Sequence, residues 1–336
     1  MSGAQEQRRI GAGALVALLT AMLVIACVAS LLIGASSAGL GDLIALAGDK
    51  EVAENTQAIL LNVRLPRILA AILAGAALAA SGAVIQSVLD NPLASPNVLG
   101  INAGAGFAVL LCAAFLPAAS AFLPLAAFLG ALLTCLIVFA ISQRAGTSKI
   151  AVVLAGMALT AIFTAGMNTV LIVDSDAYVG SSRFLTGGLS GVQTDELLWP
   201  AIAIAVALIL CMLLSRSLNV LSLGDAIAHS LGMHVSRVRM GALAVAALLA
   251  GAAVSFAGLV GFVGLVVPHI VRFFVGHDAR KVIATSIPAG ALFVVVCDLA
   301  ARSLFAPYEI PVGILMAFLG GPFFIYLILA RKYDHV

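Results

Sequence analysis

Ten apolar stretches fill almost the whole of this 336-residue sequence, and no segment between them is long enough to form a soluble domain. Hydrophobic residues make up 63% of the chain and charged residues 10%, against about 25% charged in a typical soluble domain. A segment that crosses a bilayer needs roughly 20 apolar residues and must be helical, because lipid offers no partner for backbone amides. The sequence therefore predicts an all-α, polytopic membrane protein of about ten transmembrane helices.

The division between the seventh and eighth spans is the least clear part of this prediction. These two spans share one apolar run that is broken only by Gly258, Gly261 and Gly264. The eighth span is short, so a re-entrant segment is the alternative there. We expect residues 1–336 to form a single transmembrane domain, with spans at residues 11–33, 68–89, 98–115, 121–142, 150–173, 197–214, 240–260, 261–275, 282–302 and 311–330.

The basic residues predict the orientation of the chain. With ten spans, 12 of the 17 Lys and Arg residues fall on the side that carries both termini. Cytoplasmic loops near span ends carry the excess of basic residues, so both termini are expected to be cytoplasmic. The first span has a basic flank, as a secretory signal has, but its apolar run is longer than a signal core and predicts a membrane anchor. The five basic residues on the outer side are Lys50, Arg64, Arg67, Arg183 and Arg302.

An internal repeat is indicated by an offset of 176 residues, which aligns residues 74–77 with residues 250–253, both reading Ala-Gly-Ala-Ala. Five spans separate the two segments, so the second copy would cross in the opposite direction, as in the inverted repeats of many transporters. We expect a first repeat over about 60–173 and a second over about 236–330; chance matching in an Ala- and Gly-rich sequence is the alternative. The same offset also aligns Gly82 with Gly258, Val84 with Val260, Pro92 with Pro268, and Gly100 with Gly276.

The longest connection on the cytoplasmic side, residues 215–239, is predicted to contain a short helix. Ser222, Leu223, Gly224 and Asp225 match a capping box that would begin this helix, and Gly232 would end it. Ile227 and Leu231 lie four residues apart and therefore share one face. An exposed apolar face favours a docking site for a cytoplasmic partner. The alternative is a helix that packs against this protein's own inner surface.

Three arginines stand at span ends on the predicted outer side: Arg64 and Arg67 beside the second span, and Arg302 at the end of the ninth. They oppose the inside-positive bias, and guanidinium groups suit the carboxylates of a partner protein. Two alternatives remain open: the arginines could reach toward lipid head groups, or Arg302 could pair with Asp298, which lies one helical turn before it.

Two polar turns lie on the predicted inner side, and together they could close the inner mouth of a pore. One joins the second and third spans over residues 90–96 and contains Asn91 and Leu93; its two prolines prevent the helix from continuing. The other contains Thr147 and Ser148, between the fourth and fifth spans.

Several functional classes lack their sequence signals. There is no glycine-rich loop of the G-x-x-x-x-G-K-[ST] type for nucleotide phosphates, no H-E-x-x-H pair for zinc, and no basic stripe for nucleic acid, so ATP hydrolysis and nucleic-acid binding are not expected. The five cysteines stand singly inside spans and are expected to pack as small apolar residues. The run Gly188–Gly191 matches the G-x-S-G pattern of rhomboid proteases, but Ser190 is predicted outside and His269 near the inner end of its span.

Several motifs in one order closely resemble the FecCD family of ABC transporter permeases. The resemblance covers nearly the whole chain from about residue 60 onward, and many motifs in the right order make it specific. The motifs are Arg64-Leu-Pro-Arg67, residues 75–79, Ser81-Gly82, Gln86, residues 91–94, Pro96, Leu99-Gly100, Leu223-Gly-Asp225, Leu231-Gly232, residues 261–269, Asp298 with Arg302, and residues 309–313.

This resemblance implies a type II importer permease of the kind that transports vitamin B12. Two ten-span subunits, identical or different, would enclose a path lined by their fifth and tenth helices, and an outer helix would lie near residues 174–190. Two ATP-binding-cassette ATPases would grip coupling helices at residues 222–236, and an extracytoplasmic binding protein would dock outside. The resemblance further implies docking by Arg64, Arg67 and Arg302, and an inner gate of Asn91, Leu93, Thr147 and Ser148.

The resemblance leaves the cargo open. A ferric siderophore is the first expectation, haem the next and cobalamin the third, in the cytoplasmic membrane of a bacterium. No cofactor is expected on this chain, because ATP would be used by the partner subunits. The alternative from another class is an ion-coupled secondary transporter, in which Asp298 would be the natural coupling residue.

Overall fold

The computed structural model describes residues 11–33, 41–42, 45, 48, 53–145, 148–305 and 308–331, and within these residues the regular structure is helical, with no strand. A π-helical turn over Ile59–Arg64 interrupts the second helix. The α-helices are α1 (Ala12–Leu32), α2 (Glu54–Leu89), α3 (Ile101–Phe115), α4 (Leu123–Arg144), α5 (Lys149–Val173), α6 (Asp176–Thr186), α7 (Leu198–Leu221), α8 (Asp225–Ser230), α9 (Val235–Ala257), α10 (Val263–Val275), α11 (Ala279–Ser303) and α12 (Val312–Arg331).

Ten of these helices are apolar and match the ten predicted stretches in order. In the described part of the chain, seven are long and apolar enough to cross a membrane, and α3, α10 and α12 are shorter apolar helices. The two remaining helices, α6 and α8, lie in connections, and α6 falls within the outer segment expected near residues 174–190. The chain is therefore a multi-pass membrane protein, as predicted.

The seventh and eighth spans are two separate helices, α9 and α10. The chain turns between them at Gly258 and Phe262, whose φ angles of 71° and 66° lie in the left-handed region. Helix α10 has 13 residues, which corresponds to a length of about 20 Å and is shorter than a bilayer core. Gly258 and Val260 of the connecting segment are buried, so its non-helical backbone is shielded from lipid by protein.

Small residues place α2 at the centre of the bundle. In its most apolar window 83% of the residues are buried, against 22% for α5 and 11% for α1. Gly75 lies against the backbone of Gly290 on α11, and Gly82 lies against the backbone of Gly264 on α10, so a methyl group at either glycine would overlap that backbone. Such close contacts supply the packing energy of helices in lipid.

The bundle has two ends, which we name after the predicted orientation: the outer end holds Arg67 and the inner end holds Asp90. At the outer end, α6 and the residue after it are hydrogen-bonded to two places in the predicted second repeat. The Leu259 amide donates to the Phe184 carbonyl at 2.9 Å, and the Gly313 amide donates to the Gly187 carbonyl at 2.9 Å. Helix α6 therefore joins the α9–α10 turn to the beginning of α12.

The inverted repeat stays a prediction. Two of the glycines aligned by the 176-residue offset, Gly100 and Gly276, both have left-handed φ angles, of 72° and 79°, and both lie at helix ends. In contrast, Gly82 lies inside α2 whereas its counterpart Gly258 caps α9.

Candidate functional site

The outer end of the bundle contains a buried charge cluster built on Arg67 and Asp298. The Arg67 Nε atom lies 2.9 Å and 3.1 Å from the two carboxylate oxygens of Asp298, and its Nη1 atom lies 2.7 Å from Glu309 Oε2. Arg302 is farther away, with Nε 3.9 Å from Asp298 Oδ2. Asp298 is therefore bound mainly by α2, across the bundle, and only weakly by the arginine one turn along its own helix.

Arg64 and Arg302 bind the carboxyl-terminal end of α1. The Arg64 Nη1 atom donates to the Leu31 carbonyl. The Arg302 Nη2 atom donates to the Ser30 carbonyl and, at 2.6 Å, to the Ser30 hydroxyl. Carbonyls in the last turn of a helix lack partners within the helix, and cations are favoured at that end of the helix dipole. The two arginines therefore hold the otherwise lipid-facing α1 to the rest of the bundle.

These contacts bear on the predicted docking role. Arg64, Arg67 and Arg302 are only 4%, 7% and 9% exposed, and all three donate to groups of this chain. The structure thus brings the three predicted arginines together, but it directs them inward rather than toward a docked protein. Their docking role stays a prediction.

A cavity of about 360 Å³ lies beside this cluster, under α6 and the loop that leads into α12. Arg67 and Glu309 line it on one side, and Ser182 and Arg183 of α6 line it on the other. Burial lowers the pKa of Arg183, which Glu196 partly offsets. The cavity reaches the beginning of α12, where Pro311 and Val312 line it.

Ser190, the serine of the G-x-S-G pattern, lines the same cavity and so lies at the outer end of the bundle, as predicted. His269 lies on α10, where its ring packs edge-on against Phe323 of α12. The serine is thus in an outer loop, whereas the histidine is on a helix of the bundle.

The two predicted gate turns are neighbours at the inner end. Lys149 Nζ lies 3.4 Å from Asp90 Oδ2 and so links the turn after α2 to the beginning of α5. Asn91 Oδ1 accepts a hydrogen bond from the Leu93 amide at 3.0 Å, and the Ser148 hydroxyl accepts one from the Ala151 amide at 3.0 Å. Both turns are therefore held by their own side chains.

The gate function of this pair of turns stays a prediction. Asn91 and Ser148 are exposed and Leu93 is half-buried. Thr147, the fourth predicted gate residue, lies outside the described residues.

The predicted capping box at the inner loop is wrong. Ser222 caps the carboxyl-terminal end of α7 and donates its hydroxyl to the Asn219 carbonyl at 2.8 Å. Helix α8 begins after Gly224, whose φ angle of 102° no side chain with a Cβ adopts readily. Asp225 instead accepts two hydrogen bonds from Arg239 of α9, at 2.7 Å and 2.8 Å. This ion pair holds α8 against the beginning of α9.

The end and the exposed face of α8 match the prediction. The Gly232 amide donates to the His229 carbonyl and the Met233 amide donates to the Ala228 carbonyl, which is the Schellman arrangement at a helix end. Leu223, Ile227 and Leu231 are 56%, 51% and 65% exposed. They form an apolar surface at the inner end, which we call the α8 surface.

Side chains of the types that bind metal ions are dispersed over the described residues. Among the described residues, no group of three or more His, Cys, Asp or Glu side chains could hold a metal ion. The free cysteines are spread over α1, α3, α4, α7 and α11.

The fold and these two polar ends define a polytopic, helical membrane transport protein. The profile of the FecCD transport family matches residues 22–330. The chain belongs to this family.

Curated relatives cover most of the chain. The chain is 43% identical over 272 residues to the iron(3+)-hydroxamate import system permease protein FhuB of Bacillus subtilis, covering 80% of this chain and 71% of that protein. It is 39% identical to the hemin transport system permease protein HmuU of Yersinia pestis, covering 82% and 84%. It is 38% identical to the Fe(3+) dicitrate transport system permease protein FecC of Escherichia coli, with the same coverage of 82% and 84%.

Solved structures share the fold. A candidate metal-chelate type ABC transporter in an inward-facing conformation matches with a TM-score of 0.84 and 30% identity, over 94% of this chain and 98% of that one. PsaBC from Streptococcus pneumoniae, in complex with Fab, matches with a TM-score of 0.57 at 16% identity over 85% and 94%, which shows the fold alone.

Proposed function

We propose that this chain is the permease subunit of an ATP-binding-cassette importer that carries an iron chelate into the cytoplasm. Family membership supports the transport role, and relatives named for hydroxamate, hemin and dicitrate import support the iron chelate. A ferric siderophore is the first candidate cargo, haem the second and cobalamin the third. The chain catalyses no reaction and binds no cofactor in this proposal, and ATP is used by two partner ATPases.

The observation that carries the proposal is the α8 surface. A short helix with three exposed apolar side chains stands at the inner end, and the ion pair between Asp225 and Arg239 keeps it from moving independently of α9. Arg239 is 2% exposed, so a force applied to α8 is transmitted through Asp225 to a side chain buried in the bundle. The residues assigned to ATPase coupling are Ser222, Leu223, Gly224, Asp225, Ile227, Leu231 and Gly232.

The path itself is assigned to α5 and α12, with a second permease subunit facing them. Most of α5 is unburied in the single chain, and its exposed side chains include Met157, Thr164 and Asn168. A surface with amide and hydroxyl groups suits a path better than it suits lipid, because a polar group in hydrocarbon lacks partners. The subunits of the pair can be identical or different.

An extracytoplasmic binding protein is proposed to dock at the outer end. Glu309, which is about half exposed on its side chain, binds Arg67 from the loop before α12. A carboxylate of the docked protein could replace Glu309 at Arg67 and so release that loop. Arg64 and Arg302 would need to leave the end of α1 to make equivalent contacts.

The alternative of an ion-coupled transporter has less support from Asp298. A coupling carboxylate must bind and release its ion in each cycle, whereas Asp298 is held by two hydrogen bonds from Arg67 and has Arg302 nearby. Its geometry suits a permanent structural ion pair. The location proposed for the protein is the cytoplasmic membrane of a bacterium, with both termini in the cytoplasm.

The test is assembly with an ATPase. The chain is co-expressed with a candidate ATPase subunit, and the complex is purified in detergent. Replacing Ile227 and Leu231 by Asp should abolish co-purification, because the charges disrupt an apolar contact. Ala226→Asp is the control for one such charge: it adds a single carboxylate, as Ile227→Asp alone does, to the exposed first turn of α8, where a carboxylate is favoured, and should leave assembly intact.

Reconstituted vesicles give the second readout. Uptake of a ferric siderophore should require ATP and a loaded binding protein, and an ion gradient should not replace ATP. Uptake that persists in the Ile227→Asp, Leu231→Asp variant, or without nucleotide, would contradict the proposal.

A further inference from the structure

A second cavity lies at the inner end, between the ends of α2, α7 and α10 and the beginning of α11. Its volume is about 380 Å³, and Ser87, Asn219, Arg272 and His277 are among the residues that line it. The turn after α2, including the predicted gate residue Asn91, lines one side of it, and Arg272 of α10 lines another. We call it the inner cavity.

Arg272 places in the inner cavity a positive charge that forms no ion pair with the described residues. Its guanidinium donates to Gln86 Oε1, to the Ser87 hydroxyl at 3.3 Å and to the Ala83 carbonyl at 3.4 Å. All three acceptors are uncharged. In the part of the chain that the structure describes, no carboxylate lies within ion-pair distance of Arg272. Since a guanidinium has five N–H groups, donors remain for a further acceptor.

Neither nearby carboxylate forms an ion pair with Arg272. Asp90 lines the cavity and its charge acts on Arg272, but its ion pair, at 3.4 Å, is with Lys149. Asp278 accepts a hydrogen bond from the Lys281 amide at 3.1 Å and caps α11. The carbonyl ends of α2 and α10 explain why a cation is tolerated here. They do not fill the cavity in front of it.

We propose that the inner cavity binds a phosphate group through Arg272. A guanidinium matches the geometry of phosphate oxygens, and basic pockets between membrane helices on the cytoplasmic side accept anionic head groups. The phosphate could come from an anionic phospholipid of the inner leaflet or from free inorganic phosphate. Phe273 and Phe274, on the same turn as Arg272, are exposed on the outside of α10, where acyl chains would lie.

The experiment uses the full-length chain in neutral detergent with two probes. Inorganic phosphate is titrated while thermal unfolding is followed. Separately, dioleoylphosphatidylglycerol is added and retained lipid is counted by native mass spectrometry, with dioleoylglycerol as the lipid that lacks phosphate. Stabilisation by phosphate and retention of the phospholipid would indicate that either source is accepted. Retention of the phospholipid without an effect of phosphate would assign the site to lipid head groups.

Two variants test the residue. Arg272→Gln removes the charge and should weaken binding about fivefold, the effect of losing one cation near a membrane surface. Asn219→Asp should weaken phosphate binding by a similar factor, because the substitution adds a carboxylate to the cavity. Its carboxylate can still accept the hydrogen bond that the Ala279 amide donates to Asn219 Oδ1 at 2.7 Å, so the second variant keeps the contact between α7 and α11.

Arg216→Gln is the control, because Arg216 is an exposed arginine of α7 that does not line the cavity. The Arg216→Gln variant should bind both probes within twofold of the affinity of the unsubstituted protein. Absence of binding to both probes would overturn the proposal. Unchanged binding in monodisperse preparations of both cavity variants would also overturn the proposal.

Discussion

Arg67 and Asp298 share two hydrogen bonds in a part of the bundle where both residues are less than 10% exposed. Removing one partner of such a pair leaves the other charge buried and without compensation, which costs more than the pair itself contributes. Glu309 adds a third group, from the loop before α12. The stability of the outer end therefore depends on Asp298 more than on any exposed charge near it.

Replacing Asp298 by Asn should destabilise the protein by roughly 3 to 5 kcal/mol, the usual cost of breaking a buried pair. Thermal unfolding of the purified chain in detergent measures this. Asp195→Asn, which removes an exposed carboxylate at the same end, is the control and should change stability by less than about 0.5 kcal/mol. Equal effects of the two substitutions would contradict a central role for Asp298.

The sequence offered Arg302 as an alternative partner for Asp298, which the ion pair at 3.9 Å confirms, but it missed the closer partner, Arg67. Arg302 is one helical turn away, and such neighbours can be identified from spacing alone. Arg67 is 231 residues away in sequence, and its position depends on how α2 and α11 pack. The same holds for the Arg272 contact with Gln86 across 186 residues. Contacts of this kind follow from helix packing, which one sequence without an alignment does not specify.

At the scale of helices, α2 is the element on which the others pack. Its contact with α10 is close because glycine occupies both sides, Gly82 on α2 and Gly264 on α10. Its contact with α11 is made in the same way by Gly75 and Gly290. A helix in lipid gains its packing energy from such contacts, since lipid tails are as apolar as the helix surface.

Gly82→Ala should therefore destabilise the protein by about 1 to 3 kcal/mol, as overpacking does in a dense core. Gly241→Ala on α9 is the matched control, because no atom lies within 4 Å of the position a Cβ would take there. This control should be neutral or stabilising by up to about 1 kcal/mol, through the higher helix propensity of alanine. Thermal unfolding of both variants in one detergent compares them; equal stability would show that the α2–α10 contact is not tight.

Apolar length predicted the ten membrane helices well, and local patterns predicted the short ones less well. Gly232 was correctly predicted to end α8, because few residues other than glycine adopt the left-handed conformation that this end requires. Ser222 was wrongly predicted to begin it. Its hydroxyl has a competing acceptor, the Asn219 carbonyl three residues earlier, and α7 continues through polar residues up to Leu221. The span end inferred from hydrophobicity alone was therefore too early.

At the scale of the whole molecule, the two ends differ in what they present. The inner end presents the exposed apolar α8 surface, whereas the outer end presents Glu309, Arg183 and the loop around Ser190 over a buried charge cluster. The distribution of Lys and Arg over the predicted loops follows from the sequence alone and predicts which end faces the cytoplasm. The exposed side of α5, which we propose to face a second subunit, could not be predicted from the sequence, because it depends on which side of that helix the other helices cover.

Cysteine labelling tests this orientation directly. In a background where the five native cysteines are replaced, Ser190→Cys should react with a membrane-impermeant maleimide in intact spheroplasts, and Ser230→Cys should react only after the membrane is opened. Both serines are exposed, so a difference in reaction reports the side of the membrane and not burial. The reverse pattern would place the α8 surface outside, where no ATP is available to a partner ATPase, and the proposed importer mechanism would fail with it.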